Sequence, residues 1–95
     1  DGQTPLMIAS QLNNEVIAEF LIEKGAEIDV KDNNGITPIM WACEKENEHN
    51  STLVKLLVEK GANVNVKDKN GFTPLYHACI KENESNVEVL IENGA

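Results

Sequence analysis

The sequence predicts an all-α repeat solenoid, built of helix-turn-helix units joined by short β-hairpin fingers. Two observations carry that reading. Gly2-Gln3-Thr4-Pro5-Leu6, Gly35-Ile36-Thr37-Pro38-Ile39 and Gly71-Phe72-Thr73-Pro74-Leu75 are three copies of one segment, set 33 and then 36 residues apart. Leu21-Ile22-Glu23-Lys24-Gly25-Ala26, Leu57-Val58-Glu59-Lys60-Gly61-Ala62 and Leu90-Ile91-Glu92-Asn93-Gly94-Ala95 close the three units in register. All six glycines and all three prolines fall on these equivalent positions, so they punctuate a repeat and not isolated turns. The units run over approximately 1–34, 35–70 and 71–95, within one domain 1–95.

Each element then has a physical reason. Threonine followed by proline suits a helix start, because the hydroxyl can accept an orphan amide and proline at the first helical position has no amide to waste. Thr4, Thr37 and Thr73 are therefore expected N-caps. A short first helix follows, carried by Leu6 and Ala9, by Ile39, Trp41 and Ala42, and by Leu75, His77 and Ala78. Asn14, Asn47 and Asn83 stand five residues after the repeat's alanine, and asparagine tolerates the left-handed conformation that would end that helix. Ile17, Ala18, Leu21 and Ile22, then Leu53, Val54, Leu57 and Val58, then Val87, Leu90 and Ile91, form the buried stripe of a second helix that stops at Gly25, Gly61 and Gly94. Between units, residues 26–35 and 62–71 alternate apolar and polar before a turn, the pattern of a β-hairpin. The middle unit carries three extra residues near Glu48-His49-Asn50.

These motifs, Gly-x-Thr-Pro-Leu, the buried alanine, the Leu-x-x-x-Gly-Ala ending and the Asp-x-x-Gly turn, resemble the ankyrin repeat over the whole chain. The sequence departs from that family where Met7, Met40 and Tyr76 replace its usual histidine, and where Asn13-Asn14, Glu46-Asn47 and Glu82-Asn83 replace its glycine-histidine pair. The resemblance implies a non-catalytic scaffold that binds another protein through fingers and inner helices. It points to Lys31, Asn33, Asn34, Glu44, Lys45, Lys67, Lys69, Asn70 and Lys81 as contact positions. It also implies exposed apolar anchors on the concave side, Ile36 and Phe72 beside the fingers and Leu12 and Ile80 on the first helices. Leu57 followed eight residues later by Asn65 resembles the site that some oxygen-dependent hydroxylases modify, against the plainer reading of Asn65 as a turn residue.

Charge narrows the partner. The chain has 95 residues and a net charge of −8, and all eight of its basic residues are lysine. Such a field repels nucleic acid and anionic membranes, and without arginine there is no planar fork for phosphate, so a basic or neutral protein patch fits better. No apolar run approaches the roughly 20 residues of a membrane span, and the N-terminus lacks signal-peptide character, which predicts a soluble, intracellular and cytoplasmic setting. Cys43 and Cys79 occupy equivalent places in neighbouring units, where helix axes lie about 8–10 Å apart, so both are expected to be free, buried thiols.

Other chemistry is poorly supported. Cys43, Glu44, Glu46, Glu48 and His49, or His77 with Cys79, offer metal-ligand types but not the paired spacing of a zinc site, and no cofactor is expected. No nucleophile, base and orienting acid converge in the repeat. His77 takes the place of Ile8 and Trp41 and should lie packed and hydrogen-bonded, while the acidic run from Glu44 to Glu48 reads as a solvated loop, or as a dock for a basic partner. Neither terminal unit is rewritten as a polar cap, which predicts excision from a longer array and raises two rivals. One is end-to-end self-association through the uncapped repeats; the other is a recruiting or regulatory segment of a larger enzyme.

Overall fold

The structure, a computed structural model, describes residues 2–44 and 52–95. Among the described residues it contains six α-helices and no strand: α1 (Pro5–Gln11), α2 (Glu15–Glu23), α3 (Pro38–Cys43), α4 (Thr52–Glu59), α5 (Pro74–Ile80) and α6 (Glu84–Glu92). Each unit packs its first helix on its own second helix; the first helices then stack α1 on α3 on α5, and the second helices α2 on α4 on α6. A two-layer stack results, and its core lies where each unit meets the next: Leu6, Ala9, Ile39, Ala42, Cys43, Leu53, Val54, Leu57, Ala78 and Leu90 are buried there. None of the described helices is long and apolar enough to cross a membrane.

The helix starts follow the threonine-proline logic with one exception. Thr4 Oγ1 accepts the Met7 amide at 3.2 Å and Thr73 Oγ1 accepts that of Tyr76 at 3.3 Å. Thr37 has the same extended backbone but makes no side-chain cap, and its buried hydroxyl has no partner among the described residues. Proline at the first helical position and the fully buried Ile39 and Met40 start α3 without it.

The turn between helices corrects the expectation for asparagine. Asn13 and Glu82, each at φ 56°, adopt the left-handed conformation; Asn14 and Asn83 are extended and cap the second helix instead. The Oδ1 atoms of Asn14 and Asn83 accept the amides of Ile17 and Asn86, both at 3.1 Å, while their own amides donate to Ala9 and Ala78. One residue thus closes the first helix with its backbone and opens the next with its side chain. Asn47 and the extra residues Glu48, His49 and Asn50 lie outside the described residues.

The expected β-hairpin ladder is not seen in the fingers, which contain no strand among the described residues. Each is closed at its tip by an aspartate: Asp32 Oδ1 accepts the amides of Asn34 at 2.8 Å and Ile36 at 3.0 Å, and Asp68 Oδ1 those of Asn70 at 2.8 Å and Phe72 at 2.9 Å. Main-chain bonds across each finger converge on that same aspartate: Asp32 N–H donates to the Ile36 carbonyl and Gly35 N–H to that of Asp32, and Asp68 N–H donates to the Phe72 carbonyl and Gly71 N–H to that of Asp68. Other polar groups turn sideways to the neighbouring finger, as Lys69 N–H does to the Asn34 carbonyl at 3.0 Å and Asn63 N–H to Asp29 Oδ1 at 3.0 Å. Alternation of apolar and polar residues matched a strand, but the aspartate offers the backbone a competing local partner.

Only one of the two expected buried thiols is buried. Cys43 is enclosed, since α5 packs on α3, and burial, helped by the charge of Glu44, pushes its thiol up to about 12. Cys79 is exposed because no helix among the described residues stacks beyond α5. Titration of the dilute native protein with a chromogenic disulfide at neutral pH should therefore consume a single thiol rapidly. Cys79→Ser should abolish that reaction, and two thiols reacting alike in the native state would contradict this packing.

Candidate partner-binding surface

His77 joins three elements. It projects from α5 with its side chain only 12% exposed, and its ring nitrogens face two carboxylates. Nδ1 meets Oε2 of Glu44, the C-cap residue of α3, and Nε2 meets Oδ2 of Asp68, at the tip of the second finger, at 3.0 Å. An imidazolium donates to both carboxylates at once, whereas a neutral ring donates to one. Burial alone would raise the Asp68 carboxyl, but the amides of Phe72 and Asn70 and the His77 ring outweigh it and hold the group below its ordinary 3.8. The carboxylates sit against opposite ring nitrogens and do not converge on a point, and no group of three or more metal-ligating side chains is found among the described residues.

Aromatic contacts extend the cluster. Phe72 stacks on Tyr76 with ring centroids 4.0 Å apart and planes 15° from parallel, and both rings meet His77 edge-on at 6.5 and 6.2 Å. Lys81 Nζ lies 3.9 Å from Glu44 Oε1. Of the positions anticipated from sequence, Glu44, Phe72 and Lys81 are thus brought together around His77.

The fingers present the rest. Asn33, Asn34, Lys67, Lys69 and Asn70 are exposed, and Lys31 donates from Nζ to the Lys67 carbonyl at 3.0 Å, tying one finger to the next. Ile36 is half-buried, Leu12 and Ile80 are 69% and 57% exposed, and Lys45 lies outside the described residues. Asn65 is exposed, with its side-chain amide 3.3 Å from the Gly94 carbonyl. Sequence reasoning did not single out Asp68 or Tyr76 as part of this cluster. The signals were available: an aspartate at the same place in both fingers, and a second aromatic residue four positions after Phe72.

The fold agrees with what the chain is similar to. A family model described as ankyrin repeats (3 copies) matches residues 6–95. An ankyrin repeat protein of fowlpox virus (strain NVSL) is 46% identical over 41 residues, covering 43% of this chain and 22% of the viral protein. The human fibronectin type 3 and ankyrin repeat domains protein 1 is 50% identical over 42 residues, 43% of this chain and 12% of that protein. The chain thus matches less than a quarter of either relative. With a family model spanning nearly its whole length and helix pairs stacked in register, this chain belongs to the ankyrin repeat family.

Proposed function

We propose that this chain is a non-catalytic scaffold that binds a partner protein along the row of fingertips and first helices, at Asn33, Asn34, Lys69 and Asn70 together with Leu12 and Ile80. Ankyrin repeats generally mediate protein–protein interaction. The observation that supports this reading here is the fixing of exposed groups before any partner arrives. Asp32 and Asp68 freeze the fingertips, and His77 clamps α3, α5 and the second finger, so little ordering entropy opposes binding. Leu12 and Ile80 supply apolar area at the C-terminal ends of α1 and α5. An intracellular setting is part of the proposal and rests on two unpaired thiols.

The test is affinity capture followed by titration against whatever protein is retained. A Leu12→Ala, Ile80→Ala double variant should weaken binding at least about tenfold, the ratio that corresponds to about 1.4 kcal/mol. Glu19→Gln, on the outer helix layer, should leave it unchanged. Equal binding by all three proteins would remove the fingers and first helices as the binding surface.

A further inference from the structure

Asparagine is followed by glycine at Asn34-Gly35, Asn70-Gly71 and Asn93-Gly94, and the first two of these steps form the tips of the fingers, where both asparagines are exposed. An asparagine side-chain amide is open to attack by the main-chain nitrogen of the next residue, and glycine, lacking Cβ, hinders that attack least. The nitrogen loses its proton and bonds to Cγ, ammonia leaves, and a five-membered succinimide forms. Water then opens the ring at one carbonyl or the other, giving aspartate or isoaspartate. Water is the only co-reactant.

The fold holds both tips away from that reaction. Gly35 N–H donates to the Asp32 carbonyl and Gly71 N–H to the Asp68 carbonyl, both at 2.9 Å, so neither attacking nitrogen is free to lose its proton. Neither Asn33 and Asn34 nor Lys69 and Asn70 have positive φ, which makes each tip a type I turn with the reactive asparagine at its third position, where ψ is about 0°. That torsion sets the glycine nitrogen over the asparagine's own nitrogen, whereas ring closure needs it over Cβ. Rotation about the Cα–C bond would bring it there and would swing the asparagine carbonyl round as well. At Asn34 that carbonyl is held by the Lys69 amide at 3.0 Å, and the Asn34 amide by Asp32 Oδ1 at 2.8 Å. Asp68 Oδ1 holds the Asn70 amide in the same way, at 2.8 Å. Each aspartate therefore restrains the step twice, with its carbonyl on the glycine amide and its carboxylate on the asparagine amide.

We propose that Asn34 and Asn70 are sites of self-catalysed deamidation, that opening of the fingertip sets its rate, and that Asp32 and Asp68 restrain it. Either product replaces a neutral amide by a carboxylate. Isoaspartate also adds a methylene to the main chain, so that at Asn34 the bonds from Gly35 to Asp32 and from Lys69 to the Asn34 carbonyl lose their register. The change thus falls on the link between the first unit and the second. The chemistry does not depend on the scaffold reading, although it alters two residues which that reading gives to the partner.

Peptide-mapping mass spectrometry of the 95-residue chain, held at mildly alkaline pH, reads amide loss at each asparagine separately. In the folded wild type, product should accumulate at Asn34 and Asn70 at least about tenfold more slowly than in the same chain unfolded by guanidinium chloride. Asp32→Ala removes the carboxylate that holds the Asn34 amide and should speed conversion of Asn34 severalfold, with Asn70 unchanged because Asp68 still closes the second tip. Asp32→Asn keeps an Oδ1 acceptor and should keep Asn34 slow. If Asp32→Ala unfolds the whole chain, Asn70 accelerates too and helical circular dichroism is lost, and the wild-type comparison of folded with unfolded chain decides. Three results would each overturn the inference: equal rates in folded and unfolded wild type, an Asn34 that never converts in the folded chain, or a helical Asp32→Ala chain in which Asn34 reacts no faster.

Discussion

Gly35→Ala is expected to lower the unfolding free energy by about 3 kcal/mol, from left-handed strain and overpacking together, while Gly71→Ala costs about 1–2 kcal/mol from the strain alone. Both glycines have positive φ, 78° and 85°, and both precede the same Thr-Pro step. The difference lies in what an added Cβ would meet. At Gly35 it would lie 2.7 Å from the Lys69 amide nitrogen and 3.0 Å from the Asp68 carbonyl carbon, main-chain atoms of the next finger that have no side-chain freedom to yield. At Gly71 it would meet nothing within 4 Å. Urea unfolding of the two variants measures the contrast, and equal midpoints would mean that the fingers do not approach each other this closely.

Leu57→Ala is the second large effect, about 2–5 kcal/mol. Leu57 is fully buried because α4 lies between α2 and α6, whereas Leu21, at the same place in the first unit, is half-buried. Truncating Leu21 should therefore cost about 1 kcal/mol, half or less of what a fully buried leucine is worth. Against a total of the order of 5–15 kcal/mol for a domain of this kind, Leu57→Ala removes much of the margin. Thermal unfolding followed by circular dichroism would rank the two variants, and the same loss at both positions would show that cost does not depend on place in the stack.

The repeat, its register and the helix pairs were legible because they rest on spacing: Thr-Pro starts, apolar stripes and Gly-Ala stops recur at fixed offsets. What was not legible depended on competition or on neighbours. The stretch 26–35 alternates like a strand, and only the geometry of Asp32 shows that a side chain captured the amides a strand partner would have used. Asn14 and Asn83 were expected to be left-handed, and Asn13 and Glu82 are so instead; which of two adjacent residues turns left-handed is a one-residue distinction that residue type alone does not fix. Cys43 and Cys79 are identical in local sequence logic and differ only in what stacks beyond them. The His77 cluster draws on residues nine and 33 positions away, a distance no local pattern covers.

The amide of Lys69, bonded to the Asn34 carbonyl, is the only main-chain bond among the described residues that passes from one finger to the next. Helical amides can trade their protons with solvent when a single unit frays, but this one is released only when the first and second units part. Its deuterium uptake rate therefore reports the coupling between neighbours, the quantity that decides whether a linear array of repeats melts in one step or peels from its ends.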